Sequence, residues 1–222
     1  MLTKKHFKKH DLIKFYNKNY SKKQEVSFLD KSLISESWVN SLKSLAPFWI
    51  QNIVIIKNEV IIYTLPKHLY SLIYFLCYYT NSLYQTVPDM TAVDYPENND
   101  RFEVVYNLTS VVYQHRVRVK TLVNETTPLP SLTSLFDGVN WMERETWDMF
   151  GIYFYNHPDL RRILTDYGFD GFPLTKSYPL SGYMEVRYDD EQKRVVNEPI
   201  EISQEFRNFD MVSPWVSKNN LL

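Results

Sequence analysis

Apolar residues along this chain run first at helical spacing, then in strand-like alternation, and finally without any period. Phe7, Leu12, Ile13, Phe15 and Tyr16, set among lysines, predict a short amphipathic helix over residues 6–16. Leu33, Ile34, Trp38, Leu42 and Leu45 share one face of a second helix, 32–45, which Pro47 ends. β-branched runs at 50–56 and 59–65 flank Lys57-Asn58, a hairpin signal. Pro66 opens a third, mostly apolar helix over 67–80. Strands are predicted at 86–95, 102–108 and 111–119; the last puts Val111, Tyr113, His115, Val117 and Val119 on one face. Residues 30–127 therefore read as an α+β fold: a two-layer α/β domain with two or three helices on an antiparallel or mixed sheet.

The pattern changes after Pro128 and Pro130. Ser131 is placed to cap a short helix over 132–136, and Asp137-Gly138 breaks it. A further helix spans 140–150 and stops at Gly151. Beyond it, Pro158, Pro173, Pro179, Pro199 and Pro214 punctuate a stretch with little regular period. Residues 183–188 and 194–196 can pair as a hairpin across 189–193. The chain thus divides into a basic segment 1–29, the α+β domain 30–127, a helical segment 128–151, and a long extended tail 152–222. Such a tail is uncommon in a compact domain. Its many aromatics separate it from a disordered linker. It buries them against another protein or wraps back onto its own domain.

Composition sharpens this division. All five glycines, Gly138, Gly151, Gly168, Gly171 and Gly182, lie late in the 222-residue chain, so no glycine-rich phosphate loop exists before them. One cysteine, Cys77, excludes an internal disulfide and a cysteine-ligated cluster. Its place in an apolar helix makes it core filling. His68 and His115 have no second ligand at helical or hairpin spacing and read as ordinary surface or core histidines. Residues 1–23 carry eight lysines against Asp11, leaving the rest of a chain of net charge −1 acidic. This suits either a solvated terminus or an arm for an acidic partner. It lacks the arginines of a mitochondrial presequence and the apolar core of a secretory signal. No apolar run approaches the ~20 residues that span a bilayer.

Residues 143–151, Glu-Arg-Glu-Thr-Trp-Asp-Met-Phe-Gly, are the most informative stretch. On a helix, Arg144, Glu145 and Asp148 cluster around Trp141, and Arg144 can pair with Asp148 four residues on. Met142, Thr146, Met149 and Phe150 form the opposite face. Glu143 falls within the apolar side, so its carboxylate needs a donor, with Arg161 or Arg162 as candidates. Two readings follow. A metal-dependent hydrolase could use Glu143, Glu145, Asp148 and His157 as acid, base or ligands. A structural protein could use them as a salt-bridged platform orienting the tail. Residue types alone leave both open.

The wider pattern carries more. Glu143-Arg144-Glu145, Asp148, Met149-Phe150, the run from His157 through Arg161, Arg162 and Ile163-Leu164 to Phe169, then Pro179-Leu180-Ser181-Gly182-Tyr183, Glu185-Val186-Arg187-Tyr188 and Ser213-Pro214-Trp215 are in register with one signature. The chain resembles the thirty-kilodalton subunit of respiratory complex I, the NADH:ubiquinone oxidoreductase, over residues 143–215. One departure stands out: the family usually has aspartate where this chain has Ser177.

The resemblance implies a non-catalytic core subunit of the hydrophilic arm, in the quinone module. It supports assembly and stability of NADH-to-ubiquinone electron transfer coupled to proton pumping. The tail is expected to thread along the large hydrogenase-like subunit at the quinone site. No cofactor is expected on this chain; NADH, FMN, iron–sulfur clusters and ubiquinone belong to the assembled complex. Glu143, Arg144, Glu145, Asp148, His157, Arg161, Arg162, Arg187 and Trp215 are then interface or structural residues. Tyr153, Phe154, Tyr155, Tyr167, Phe169, Phe172, Tyr178 and Tyr183 are candidate interface anchors. Acids outnumber bases eight to four over 183–210, which suits a basic partner surface. A Lys-, Asn-, Ile-, Tyr- and Phe-rich usage suits an organelle-encoded mitochondrial subunit on the matrix side of the inner membrane. No nucleic-acid partner is expected, since the basic start has no arginine.

Overall fold

The computed structural model describes residues 36–56, 59–205 and 207–209. The basic segment with its 6–16 helix, the Lys57-Asn58 turn and Trp215 lie outside these residues. Helix α1, Glu36–Leu45, leads into strands β1, Asn52–Ile56, and β2, Glu59–Thr64. A 3-10 turn at Pro66–His68 runs into α2, Leu69–Tyr78. Strands β3, Thr86–Asp94, β4, Phe102–Ser110, and β5, His115–Val123, complete a five-stranded sheet of order β1-β2-β5-β4-β3.

The sheet is mixed. Neighbours are antiparallel except β2 and β5, which run parallel with Val60 opposite Val117 and Ile62 opposite Val119. A parallel pair needs a crossover, and α2 supplies the helical part of it, laid on one face. Leu69, Leu72, Ile73 and Leu76 on α2 are buried, together with Val60, Ile62, Val104, Tyr106, Leu108, Val117 and Val119 from the sheet. Cys77 packs half-buried against this cluster, and burial raises its thiol pKa, consistent with core filling.

Two sequence expectations fail for local reasons. The last strand begins at His115, because residues 111–114 form a turn in which Gln114 takes φ 53°. Val111 and Tyr113 are therefore exposed, while His115, Val117, Val119, Thr121 and Val123 face inward. Residues 132–136 make a turn rather than a helix. Leu129–Pro130, β6, pairs instead with Phe154–Tyr155, β7. Among the described residues, the other elements fall within a few residues of their predicted ends.

After α3, Val139–Phe150, the chain reverses at Gly151, whose φ of 78° suits glycine. The hairpin expected in the tail forms as β8, Met184–Asp189, antiparallel to β9, Arg194–Pro199.

Leu72→Ala should lower unfolding free energy by about 2–5 kcal/mol, since it empties fully buried volume. Phe48→Ala, at an 87% exposed position, should stay within about 0.5 kcal/mol. Urea midpoints of the two variants test the assigned core.

Candidate functional site: a helix with two buried carboxylates

α3 carries Val139, Glu143, Thr146 and Phe150 on its inner side at helical spacing. Glu143 and Asp148 are both fully buried. Each holds a segment of chain that has no ladder of its own. Glu143 grips the chain between β6 and the helix: the Ser131 hydroxyl donates to Oε2 at 2.6 Å and the Leu132 amide to Oε1 at 2.8 Å. Asp148 grips the chain after it. Oδ2 accepts the amides of Ile163, Leu164 and Thr165 at 3.2, 2.8 and 2.9 Å. Oδ1 accepts the Thr165 hydroxyl at 2.7 Å and the Arg162 guanidinium at 3.3 Å.

The two acids differ in charge balance. Burial pushes Glu143 from its ordinary 4.5 up to about 7, against the lowering pull of the Leu132 amide and Ser131 hydroxyl. Burial also pushes Asp148 upward, but the Thr165 hydroxyl and three amides outweigh it and hold the group below its ordinary value. The buried Tyr106 hydroxyl lies within the field of Glu143; burial first, and that charge second, raise it. His157 has a fully buried side chain, with Nε2 3.8 Å from Glu143 and 3.3 Å from the Asn140 carbonyl. Its Nδ1 accepts the Asp159 amide at 3.1 Å, which suits a proton on Nε2.

The expected pairings are rearranged. Arg144 does not reach Asp148: it donates to the Arg161 carbonyl at 3.1 Å and lies over the Trp141 ring. Arg161 pairs with Asp159 at the surface rather than with Glu143. Arg162 serves Asp148 and the Gly171 carbonyl, at 2.9 Å, rather than Glu143. Glu145 is exposed. Arg187 forms an exposed cross-strand pair with Glu198 at 2.5 Å. Among the described residues, no three His, Cys, Asp or Glu side chains converge as a metal would need, and both buried carboxylates are occupied by donors.

A third clasp went unseen in the sequence. Asp94 ends β3 with its side chain inward and accepts Arg101 Nε at 2.6 Å and Nη2 at 2.8 Å. The Lys176 amide also donates to it, at 2.7 Å. The hydrogen bond from Arg101 leads the lowering of the Asp94 pKa. Arg101 reaches Glu125 at 2.6 Å and the Ser177 hydroxyl at 3.2 Å, so Ser177 keeps a contact to this cation. The available signal was Asp94 itself, a carboxylate in the inward parity of Met90 and Ala92.

Between these clasps the chain packs back on α3. Phe172 stacks edge-on against Trp147 at 5.8 Å, and a Cβ on Gly151 would sit 2.6 Å from the Phe172 ring. Phe154 is no interface anchor: it is 1% exposed and belongs to the core, because the β6–β7 ladder carries it inward. Tyr167, by contrast, is wholly exposed, and Leu180 nearly so. In the β8–β9 ribbon Met184, Val186, Tyr188 and Val195 share one face and are all exposed.

Comparison with known proteins fits this geometry. Residues 62–184 match the family described as respiratory-chain NADH dehydrogenase, 30 Kd subunit. The chain is 53% identical over 185 residues to NADH-ubiquinone oxidoreductase subunit 9 of Reclinomonas americana, covering 82% of this chain and 91% of that one. It is 52% identical over 174 residues to the mitochondrial NADH-ubiquinone oxidoreductase 30.4 kDa subunit of Neurospora crassa, covering 78% of this chain and 60% of that one. Among solved structures, a chain of an archaeal membrane-bound sulfane sulfur reductase, a respiratory membrane complex, shares the fold. Its TM-score is 0.57 at 20% identity, covering 72% of this chain and 98% of that one.

Glu143 sets a pH dependence with a definite sign. Its folded pKa is raised, so its stabilising contribution is full below about 4.5 and is lost as pH climbs through about 7. Glu143→Gln should flatten that decline, by an amount on the order of 3 kcal/mol across the window. Asp148 has the opposite sign: its contribution is lost as pH falls through its lowered value, and Asp148→Asn should remove that acid limb. Urea unfolding followed from about pH 2 to about pH 8 reads both, Glu143 in the upper part of the range and Asp148 below about pH 4. Gly151→Ala should cost more than ~1 kcal/mol through positive φ and the Phe172 clash.

Proposed function

This chain belongs to the family of the 30 kDa subunit of respiratory-chain NADH dehydrogenase, and we propose that within that enzyme it acts as a scaffold rather than a redox carrier. It is a component of NADH-ubiquinone oxidoreductase, and other subunits of the complex are its partners. No helix among the described residues is long and apolar enough to cross a membrane, which suits a peripheral subunit. The finer assignments are ours. The chain sits in the quinone module on the matrix side of the mitochondrial inner membrane. It carries no cofactor of its own, and residues 152–222 bind the large hydrogenase-like subunit.

The observation that carries the reading is the treatment of the chain after α3. Asp148 and Asp94 take the amides of residues 163–165 and 176, fixing backbone that has no sheet of its own. Among the side chains that the chain after α3 leaves open are large apolar ones: Tyr167, Leu180 and one face of the β8–β9 ribbon. A two-stranded ribbon is marginal alone, so an exposed apolar face on one suits a surface completed by a partner. Glu143, Arg144, Glu145, Asp148, His157, Arg161, Arg162, Arg187 and Trp215 are proposed as structural or interface residues, with Asp148 and Glu143 as the anchors.

Glu143→Ala and Asp148→Ala should each reduce assembled complex several-fold, through loss of a buried acceptor worth about 1–3 kcal/mol per amide left unpaired. NADH:ubiquinone turnover per assembled complex should stay near wild type. Native-gel quantities set beside specific activity measure this. Normal assembly with lost turnover contradicts the scaffold reading.

A further inference from the structure

We infer that Glu143 is a reversible proton-binding site, reached from solvent through the hydroxyls of Ser131 and Thr133. Glu143 Oε2 lies 2.6 Å from Ser131 Oγ, which lies 2.9 Å from Thr133 Oγ1. Glu143 is 0% exposed and Ser131 6%, whereas Thr133 is only half-buried. Three oxygens, each within hydrogen-bond reach of the next, thus run from a sealed carboxylate outward. A hydroxyl donates one proton and accepts at two lone pairs, so it passes a proton along by turning over.

Both protonation states keep the same heavy-atom bonds. With the carboxylate ionised, Thr133 donates to Ser131 and Ser131 to Oε2, and the Thr133 amide fills the second lone pair of Ser131 at 3.3 Å. With Glu143 protonated, Oε2 donates to Ser131 and Ser131 to Thr133, while the Leu132 amide still donates to Oε1. Between the two, a hydronium ion protonates Thr133 Oγ1 as the Thr133 O–H bond gives its proton to Ser131 Oγ. The Ser131 O–H bond breaks as an O–H bond forms on Oε2, so one water is released and Glu143 gains one proton.

The surroundings favour this uptake. Tyr106 of β4 and His157, after β7, are the titratable groups that face the carboxylate. The other charges on the elements around it are engaged elsewhere or exposed. On α3 itself, Arg144 turns to the Arg161 carbonyl, Asp148 to residues 163–165, and Glu145 to solvent. Asp94 of β3 pairs with Arg101, Glu103 of β4 with Lys120, and Asp159 with Arg161, while Asp89 and Asp137 are exposed. Burial without a cation moves the titration of Glu143 up to about 7, where protons come and go near neutrality. His157 is a poor second entry. Its Nδ1 accepts the Asp159 amide, and its Nε2, 3.3 Å from the Asn140 carbonyl, stays 3.8 Å from Glu143.

Protonation kinetics in the full chain separate a proton site from a carboxylate that only holds structure. A laser-released proton takes the solution from about pH 8 to about pH 6, and the infrared C=O band of a protonated carboxyl is followed. The part of that band missing in Glu143→Gln belongs to Glu143. Thr133→Val removes the entry hydroxyl, so the band should reach nearly its wild-type size on the order of tenfold more slowly. Thr133→Ser should restore the rate, and His157→Gln should leave it unchanged. If Glu143→Gln does not fold, the carbon-13 shift of the Glu143 carboxyl identifies the titrating group. If Thr133→Val does not fold, Thr133→Ala takes its place. An unchanged rate in the variant without the hydroxyl overturns the inference. So does a slow rate that Thr133→Ser fails to restore, or one that falls only in His157→Gln. A Glu143 that takes up no proton between these pH values overturns it as well.

Discussion

Backbone amides that belong to no helix or sheet still need acceptors, and this protein supplies them from buried carboxylates. Glu143 accepts the amide of Leu132, Asp148 those of Ile163, Leu164 and Thr165, and Asp94 that of Lys176. These acceptors act beside a few turn and cross-chain bonds, such as Leu174 N–H to the Met149 carbonyl at 3.1 Å, in fixing residues 131–133 and 160–178. The three acids solve their charge problem differently. Asp94 is paired with a guanidinium, and Asp148 is cradled by amides, a hydroxyl and a more distant guanidinium. Glu143, with two donors and no close cation, has its pKa raised.

This arrangement divides labour within the molecule. The sheet and α2 make a conventional apolar core. α3 belongs to that core through Val139 and Phe150 and to the following chain through Asp148. The later segments are therefore tied to α3 through Asp148 and to the sheet through Asp94. A subunit whose work is to hold others in place needs that stiffness more than it needs an open pocket. The apolar residues that remain outside in the β8–β9 ribbon form a surface a lone soluble protein would keep polar.

Much of the fold was legible because period and punctuation agreed. Alternation across β2, β4 and β5, Pro66 before α2 and Gly151 after α3 each specify one outcome. The start of β5 was not, since Val111 continues the alternation while a tertiary turn at Gln114 breaks it. Ser131 carried a true signal with the wrong consequence. Its hydroxyl does accept the Thr133 amide at 3.3 Å, as a cap would, but it is also committed to Glu143, and only a turn follows. Helical geometry correctly put Glu143 inside yet could not choose its partner. That choice depends on β6 meeting β7, where Pro130 lies opposite Tyr155, 25 residues on. The clasp at Asp94 spans 82 residues to Lys176, beyond the reach of any local pattern.

The most direct measurement is amide exchange at Ile163, Leu164 and Thr165 in the wild-type chain and in Asp148→Ala. If a buried carboxylate holds this segment, exchange there should rise on the order of tenfold or more, while β4 and β5 amides keep their protection. Unchanged exchange at these three amides, or a uniform rise across the sheet, would contradict the account.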